Sequence, residues 1–142
     1  MFNFEFSKKI EDKTFDPNRE PESVEDYERM IAATPNSSYL WIKYATLHLE
    51  LNDIAKARNV IQKALATISY REETERLNVW VALLNIENLY GTEQSLEENF
   101  NKATQNCDSF KVHCHVAEML ARSAKIAVSI VVADLEENLN YR

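Results

Sequence analysis

The sequence is poor in the residues that tight turns and close backbone approaches require. Its 142 residues include one glycine and three prolines. Sandwiches, barrels and Gly-rich phosphate-binding loops need glycine and proline at many turn positions. These architectures are therefore excluded, and an almost entirely α-helical fold is predicted. The length corresponds to about one domain, or to one section of a repeat array.

Basic residues are also scarce. Sixteen Lys and Arg stand against twenty-three Asp and Glu, for a net charge of −7, and the longest basic run is the pair Lys8-Lys9. Binding to a phosphate backbone is driven by clustered cations that displace counterions. We therefore expect no direct nucleic-acid binding as the main activity. Acidic stretches such as residues 72–75 and 97–98 are typical of solvated helix faces, and in a solenoid the alternative is a surface that faces a basic partner peptide.

Targeting features and cysteines are equally sparse. The first residues lack the basic region and apolar stretch of a secretory signal. No window reaches the ~20 apolar residues of a membrane-spanning helix, so no membrane association is expected. The cysteines are Cys107 and Cys114, which we expect to be reduced thiols in the cytosol or nucleus.

An internal repeat with an offset of 39 residues starts at Trp41 and Trp80. Each tryptophan is followed by a large residue three positions on and a polar residue seven positions on. These residues are Tyr44 and Leu83, then His48 and Glu87. The same offset places residues 61–64 on residues 100–103. A period near 40 is the size of one helix-pair unit of a solenoid.

Apolar residues recur at helical spacing, and capping residues mark the segment ends. Ser23, Asp53, Thr92 and either Asp108 or Ser109 are predicted to start helices, and residues 69–72 have the form of a capping box. Asn52 and Gly91 are predicted to end helices in the left-handed conformation. The predicted buried stripes are Tyr27, Met30 and Ile31; Leu40, Trp41, Tyr44, Leu47, His48 and Leu51; Ile54, Ala57, Val60, Ile61, Ala64, Leu65 and Ile68; Leu77, Trp80, Val81, Leu84 and Asn88; Leu96, Phe100 and Ala103; and Val112, Val116, Met119 and Leu120.

These segments predict an all-α, right-handed solenoid of antiparallel helix pairs, with about two full repeats and partial flanking repeats. Residues 1–22 form a predicted polar arm or linker, residues 23–125 the helical repeat domain, and residues 126–142 an atypical C-terminal segment that we expect to be helical. In that segment, residues 126–133 are either the apolar core of a last helix or an exposed, strand-prone stretch. If the segment is helical, its apolar residues lie on one side of the helix; these are Val128, Val131, Val132, Leu135 and Leu139.

The repeat residues resemble the HAT (half-a-TPR) family. The resemblance rests on the Trp-x-x-Tyr-Ala pattern at residues 41–45, on the Trp and Glu seven apart at 80 and 87, and on residues 57–65. Residues 21–29, 35–38 and above all 77–91 are similar to the C-terminal HAT region of the ribosomal RNA biogenesis factor family also called programmed cell death protein eleven. That family joins S1-type RNA-binding barrels to HAT repeats, and no S1 barrel is present here. His48 stands where the repeat prefers Glu.

The resemblance implies a non-catalytic scaffold that binds proteins of the small-subunit processome in early pre-rRNA processing. It also implies a location in the nucleus and nucleolus, contact with pre-rRNA through other proteins, and no cofactor. The residues expected to hold the repeat together are Trp41, Tyr44, Ala45, Ala57, Ala64, Trp80, Leu83, Glu87, Gly91, Phe100 and Ala103. Self-association through the C-terminal end is a further hypothesis, since a solenoid needs a polar end.

Alternative functions remain open on the residues alone. A HAT scaffold of pre-mRNA splicing or 3′-end processing has the same repeat. Direct RNA binding would require the cations of the second helices to collect on one face; these are Lys56, Arg58, Lys63 and Lys102. Base stacking by the two tryptophans is a weaker alternative, because both lie on the apolar stripe.

A catalytic or metal site is not expected. Cys107, His113, Cys114 and His115 offer zinc-ligating side chains. However, His113 and His115 are two residues apart on a predicted helix and point about 200° apart, so they do not converge on one ion. Nothing positions a third group beside a Cys–His pair, as nucleophilic catalysis requires.

Overall fold

The computed structural model describes residues 19–140, and the chain forms six α-helices over this range with no strand. The helices are α1 (Val24–Ala33), α2 (Ser38–Glu50), α3 (Ile54–Thr67), α4 (Glu73–Tyr90), α5 (Glu93–Asn106) and α6 (Ser109–Asn140). The all-α repeat solenoid is confirmed. Residues 1–18, most of the predicted arm, lie outside the described range, as do residues 141 and 142.

Each helix packs on the next, and α4 also contacts both α2 and α6. Short connections between packed neighbours give antiparallel pairs. The second helices of the two full repeats, α3 and α5, both have 14 residues. Their first residues, 54 and 93, are separated by the offset of 39 found in the sequence. The repeat in the sequence is therefore a repeat of structure.

Four of the predicted helix caps are confirmed, and of the two alternatives at the start of α6 Asp108 is the cap, because its Oδ1 accepts from Lys111 N at 3.3 Å. The side chains of Ser23, Asp53 and Thr92 accept hydrogen bonds from backbone N–H groups three residues on. Thr92 and Ser95 form a complete capping box. Asn52 has φ 57°, the left-handed conformation predicted for it. Asn52 and Asp53 thus set the turn between α2 and α3, and Thr92 sets the turn between α4 and α5.

The conformation predicted for Gly91 is wrong. Gly91 ends α4 with φ −93° and ψ −167°, an extended backbone that any residue can adopt. The reason for glycine is space. A Cβ atom at this position would overlap the Glu87 carboxylate and lie 2.6 Å from Ser95 Oγ and 2.7 Å from Glu87 O. Glycine is needed because three polar groups crowd its Cα.

The capping box predicted at residues 69–72 is also wrong. Helix α4 starts at Glu73, and its N-cap Glu72 makes no side-chain capping bond. Ser69 instead belongs to a turn, because its carbonyl accepts from Glu72 N at 3.0 Å and its hydroxyl accepts from Arg71 N at 3.4 Å. The hydroxyl is therefore used locally and does not reach the first turn of α4.

One core runs along the stacked helices. It consists of Tyr27, Ile31, Leu40, Trp41, Tyr44, Ala45, Ala57, Val60, Ile61, Ala64, Ile68, Leu77, Val79, Trp80, Leu83, Leu84, Ile86, Ala103, Val112 and Met119. Val79 and Ile86 were not predicted, because α4 packs on four helices and buries a wider arc than one stripe. Leu51 and Leu120, predicted to be buried, are 63% and 46% exposed. Leu51 lies in the turn after α2, where no neighbouring helix covers it.

The last helix extends well beyond the packed core. Helix α6 has 32 residues and runs without a break through the predicted boundary at residue 125. Residues 126–133 are helical and do not form a strand. Their apolar side chains are not a buried core, because every side chain from residue 124 to residue 139 is exposed.

Candidate protein-docking surface

The structure buries most of the residues predicted to hold the repeat together. Gly91 and Phe100 are half-buried, and the other nine are at most 9% exposed. These nine are Trp41, Tyr44, Ala45, Ala57, Ala64, Trp80, Leu83, Glu87 and Ala103. They lie between helices and present little surface to a partner. Their role as the internal structure of the repeat stays a prediction.

Glu87 connects three helices. Its side chain is 4% exposed and accepts from Arg58 Nε on α3 at 2.7 Å, with Arg58 Nη2 at 3.4 Å. Ser95 on α5 donates its hydroxyl to the other carboxylate oxygen at 2.6 Å. A buried carboxylate needs such charged and polar partners. Glu87 therefore fixes how the first repeat stacks on the second.

A second polar cluster joins α2 to α4. Ser38 N donates to Glu75 Oε2 at 2.6 Å, and Asn78 Nδ2 donates to Ser38 Oγ at 3.2 Å. Arg76 Nη1 donates to the carbonyls of Leu65 and Ile68 at the end of α3, at 2.8 and 3.1 Å. We had not predicted this cluster, and Glu75 lies in a stretch interpreted as solvated. No local signal marks it, because its partners are distant in sequence.

His48 occupies the position equivalent to Glu87 and makes a different contact. Its ring is buried and lies 5.0 Å from the ring of Tyr44, which stacks on Tyr27 at 5.5 Å. Tyr44 donates its hydroxyl to Glu28 at 3.3 Å. Burial raises the pKa of Tyr27, and burial together with the Glu28 carboxylate raises the pKa of Tyr44. The joint between α1 and α2 is thus aromatic, while the joint at Glu87 is ionic.

The two tryptophans are packed inside the solenoid. Trp41 and Trp80 are 5% and 7% exposed, so their ring faces are not available to stack bases. Trp41 Nε1 donates to Pro35 O at 2.9 Å. Trp80 Nε1 is buried without a partner. The residue equivalent to Pro35 is Thr74, which lies inside α4, where carbonyls bond within the helix.

The Cys and His residues near α6 do not converge. His113 Nδ1 lies 2.6 Å from Ser109 O, and its ring meets Phe100 edge-on at 5.0 Å. Cys114 is exposed and Cys107 is half-buried, and both are free thiols. Burial raises the pKa of the Cys107 thiol. Across residues 19–140, no three His, Cys, Asp or Glu side chains are grouped so that they could hold a metal ion. No helix in that range has the length and apolarity to span a membrane.

The surface open to a partner lies on the first helices of the repeats. Helices α2, α4 and α6 touch in order, whereas α1, α3 and α5 make no such contacts with one another over the described range. Because α2, α4 and α6 pack on one another and α1, α3 and α5 do not, we expect the stack to curve towards the first set, and we call the outward stripe of α2, α4 and α6 the inner face. Equivalent residues of the inner face, related by the offset of 39, are Tyr39, Lys43, Thr46 and Glu50; Asn78, Ala82, Asn85 and Leu89; and Ala117, Ala121, Ala124 and Val128.

The inner face loses charge along the stack. On α2, Lys43 lies over the exposed Tyr39 ring at 5.4 Å, and an open groove of about 500 Å³ beside it reaches Glu50. On α4 and α6, the inner-face residues are uncharged, and several are alanine or asparagine. Small neutral side chains let a partner helix or an extended segment approach closely. Leu89, 69% exposed, is the largest apolar side chain on the α4 portion.

Two of the four cations considered for RNA binding are paired with carboxylates. Lys56 Nζ lies 3.6 Å from Asp53, and Arg58 is paired with Glu87. Lys63 and Lys102 are exposed at equivalent positions on α3 and α5. Two of the four positive charges are thus neutralised by neighbouring carboxylates, which weakens attraction to a phosphate backbone.

Comparison with known proteins agrees with this geometry. The family described as "Pre-mRNA-splicing factor Syf1/CRNKL1 C-terminal HAT repeat" matches residues 31–141. The chain is 50% identical over 117 residues to "Protein RRP5 homolog" of Homo sapiens. The matched residues are 82% of this chain and 6% of that protein. It is 45% identical over 118 residues to "rRNA biogenesis protein rrp5" of Schizosaccharomyces pombe, covering 83% of the chain and 7% of that protein.

A plant relative extends the similarity. "rRNA biogenesis protein RRP5" of Arabidopsis thaliana is 40% identical over 116 residues, 80% of the chain and 6% of that protein. The chain therefore spans only a small part of the length of the curated relatives that it matches. The family match covers most of the helices described above. The chain belongs to the HAT-repeat family, and its repeats are similar to those of the RRP5 proteins of rRNA biogenesis.

Proposed function

We propose that this chain is a non-catalytic scaffold in pre-rRNA processing and small ribosomal subunit assembly, and that it acts in the nucleus and nucleolus. It docks proteins of the small-subunit processome on its inner face and meets pre-rRNA through them. The observation that carries the proposal is the 50% identity to a protein named for RRP5 over 82% of this chain. The same similarity recurs in the fission yeast protein named for rRNA biogenesis.

The arrangement of polar groups supports a binding role over catalysis. Glu75, Glu87 and Arg76 make bonds between helices. A catalytic site needs a polar group aimed at a substrate in a pocket that excludes water, whereas these groups are occupied in holding the stack. On α4 and α6 the inner face is neutral, which suits recognition of a protein segment.

A splicing scaffold is the second candidate, and one observation favours it. The matching family carries the name of a pre-mRNA splicing factor. That match describes the repeat type, which several RNA-processing machines share. The identity of 40–50% to RRP5 proteins of human, fission yeast and plant is the more specific relationship.

The proposal is tested by affinity capture. The full chain is immobilised and exposed to nuclear extract with and without nuclease, and retained proteins are measured by quantitative mass spectrometry. We expect small-subunit assembly factors that survive nuclease. Retention of splicing or polyadenylation factors would favour the second candidate, and loss of all retained proteins with nuclease would indicate a nucleic-acid ligand.

Matched variants locate the docking face. Tyr39→Ala and Leu89→Glu change exposed side chains of the inner face, at 58% and 69% exposure. Tyr70→Ala and Leu51→Glu change equally exposed residues elsewhere, at 77% and 63%. We expect the first two variants to lose the retained proteins and the second two to keep them. The reverse pattern would contradict docking on the inner face.

A further inference from the structure

The exposed half of α6 carries an apolar seam that no part of the described chain covers. We define the α6 seam as Ala124, Val128, Val131, Leu135 and Leu139, which follow one another at spacings of four, three, four and four residues. Such spacing puts them on one side of a helix, and the spacings from Ala124 to Leu135 are those of a two-helix coiled coil. The four larger side chains are 57–70% exposed. A continuous seam of this kind in water favours a partner that buries it.

The charges beside the seam change sign along the helix. The basic residue Lys125 precedes the midpoint of the seam, and the acidic residues Asp134 and Glu136 follow it. Lys125 and Glu136 are eleven residues apart, about three turns at 3.6 residues per turn, so they project from the same flank of α6. A helix with this pattern is complementary to a copy of itself running in the opposite direction.

We propose that two copies of this chain pair through the α6 seam as an antiparallel, two-fold symmetric helix pair. With the two-fold axis between residues 129 and 130, Val128 of one copy lies opposite Val131 of the other, and Ala124 lies opposite Leu135. Small residues then face large ones in the outer layers, as close packing requires. Lys125 of each copy comes within one turn of Glu136 of the other, because a two-fold axis keeps equal flanks together.

The charge pattern selects the antiparallel direction. In a parallel pair, residues of equal number lie at equal height, so the basic ends would meet each other and the acidic ends would meet each other. Like charges at such distances are destabilising, and opposite charges are stabilising. The seam shares Ala124 and Val128 with the inner face, but the proposal does not depend on the role in rRNA processing, since it is argued only from the spacing, exposure and charges of α6.

The first test measures mass by light scattering across a concentration series of the full chain. We expect a monomer–dimer equilibrium in the wild type and a monomer at every concentration for Val131→Glu. Ile130→Glu is the matched control, because Ile130 and Val131 are both 57% exposed and project from different sides of α6. We expect Ile130→Glu to dimerise as the wild type does. A monomeric wild type, or equal loss in both variants, would overturn the proposal.

The second test reads the direction of pairing by charge exchange. Lys125→Glu and Glu136→Lys each place like charges together at two symmetric positions, and we expect each to weaken its own dimer by about 10- to 30-fold. Mixed in equal amounts, the two variants form pairs in which both positions again carry opposite charges. We expect the mixture to dimerise as tightly as the wild type. A mixture that stays as weak as either variant would contradict antiparallel pairing. Circular dichroism of each variant checks that the helical content is unchanged.

Discussion

At the residue scale, burial of the carboxylate determines how much an ion pair contributes to the stability of the fold. Arg58 and Lys56 lie two residues apart on α3, and each pairs with a carboxylate. Glu87, the partner of Arg58, is 4% exposed, whereas the Lys56 and Asp53 side chains are 67% and 38% exposed at 3.6 Å. Water screens the second pair on both sides, whereas in the first pair the Glu87 carboxylate is buried although the Arg58 side chain is 38% exposed.

We expect Arg58→Met to lower the free energy of unfolding by about 3 kcal/mol, because it leaves a buried carboxylate without its cation. Lys56→Met removes an exposed pair and is expected to cost less than about 1 kcal/mol. Urea unfolding followed by circular dichroism measures both. The double variant Arg58→Met/Glu87→Gln tests the cause. Its loss of stability should be smaller than the sum of the losses measured for Arg58→Met alone and Glu87→Gln alone, because it leaves no unpaired buried charge. Equal losses of stability in Arg58→Met and Lys56→Met would contradict this account.

Equivalent positions in the two repeats meet different requirements. Asn52 and Gly91 are separated by the offset of 39, and each precedes the capping residue of the next helix. Asn52 takes the left-handed conformation at φ 57°, while Gly91 is extended. The side chain is absent at Gly91 because Glu87 and Ser95 fill the space in front of its Cα.

Three substitutions separate these requirements. We expect Gly91→Ala to cost about 1–3 kcal/mol, because the methyl group displaces the Glu87 carboxylate from Ser95. Asn52→Gly should be nearly neutral, since glycine adopts positive φ without strain, whereas Asn52→Ala should cost about 1 kcal/mol. Thermal unfolding of the three variants provides the comparison. A Gly91→Ala variant as stable as the wild type would show that the space is not needed.

The two buried indoles, at equivalent positions of the repeats, also differ, because only one of them has a hydrogen-bond partner. Trp41 donates to Pro35 O, and Trp80 has no partner. Replacement by Phe removes a satisfied donor in the first case and an unsatisfied one in the second, and an unsatisfied buried donor itself costs about 1–3 kcal/mol. We therefore expect Trp41→Phe to destabilise more than Trp80→Phe, by urea unfolding at equal pH. The opposite order would mean that ring volume, not hydrogen bonding, decides the cost.

At the element scale, helix ends were predictable where the signal is local. Ser23, Asp53 and Thr92 cap as predicted, because a cap depends on residues three positions apart. The start of α4 was not predictable. Ser69 has the right spacing but bonds within its turn and donates its N–H to Asn36, 33 residues earlier. Contacts of that range leave no mark in a local pattern.

The candidate surface also has a part that was predictable from the sequence and a part that was not. The repeat offset places Tyr39, Asn78 and Ala117 on one face, so the inner face follows from the sequence once the helices are known. The links at Glu75 and Arg76 do not, because their partners lie on other helices. The apolar periodicity, the capping residues and the offset of 39 predicted the order of helices. The pairs of atoms that hold those helices together required the structure.

The joint between α1 and α2 makes the stability depend on alkaline pH. Burial raises the pKa of Tyr27 and Tyr44 above the ordinary 10.0, because the folded chain favours the neutral phenol. The unfolded chain then releases protons first as the pH rises, so the free energy of unfolding falls from about pH 10 upward. We expect Tyr44→Phe to make this decline shallower.

Urea unfolding at a series of alkaline pH values measures that decline. Tyr70→Phe is the control, because Tyr70 is 77% exposed and packs against neither ring of the joint. It should leave the slope of stability against pH as in the wild type. An unchanged slope in Tyr44→Phe would show that the buried phenol does not ionise differently in the two states.

At the scale of the whole molecule, the repeats and the end of α6 contribute to different properties. Helices α1, α2, α3, α4 and α5 pack together with the first part of α6, where Val112 and Met119 are buried. Beyond residue 123, all side chains through residue 139 are exposed. Residues 126–142 are therefore expected to add little to the stability of the folded monomer, and we propose that residues 23–125 form the folding unit.

Deletion of residues 126–142 tests this division. We expect the shortened chain to unfold at a urea midpoint close to that of the full-length Val131→Glu variant, because neither gains stability from pairing. We expect it to remain monomeric at concentrations where the full chain dimerises. Met119→Ala, which opens the packed part of α6, should instead cost about 2–5 kcal/mol in either length of chain. If the deletion lowered the midpoint as much as Met119→Ala does, residues 126–142 would belong to the folding unit, because a segment that only mediates pairing adds nothing to an isolated monomer.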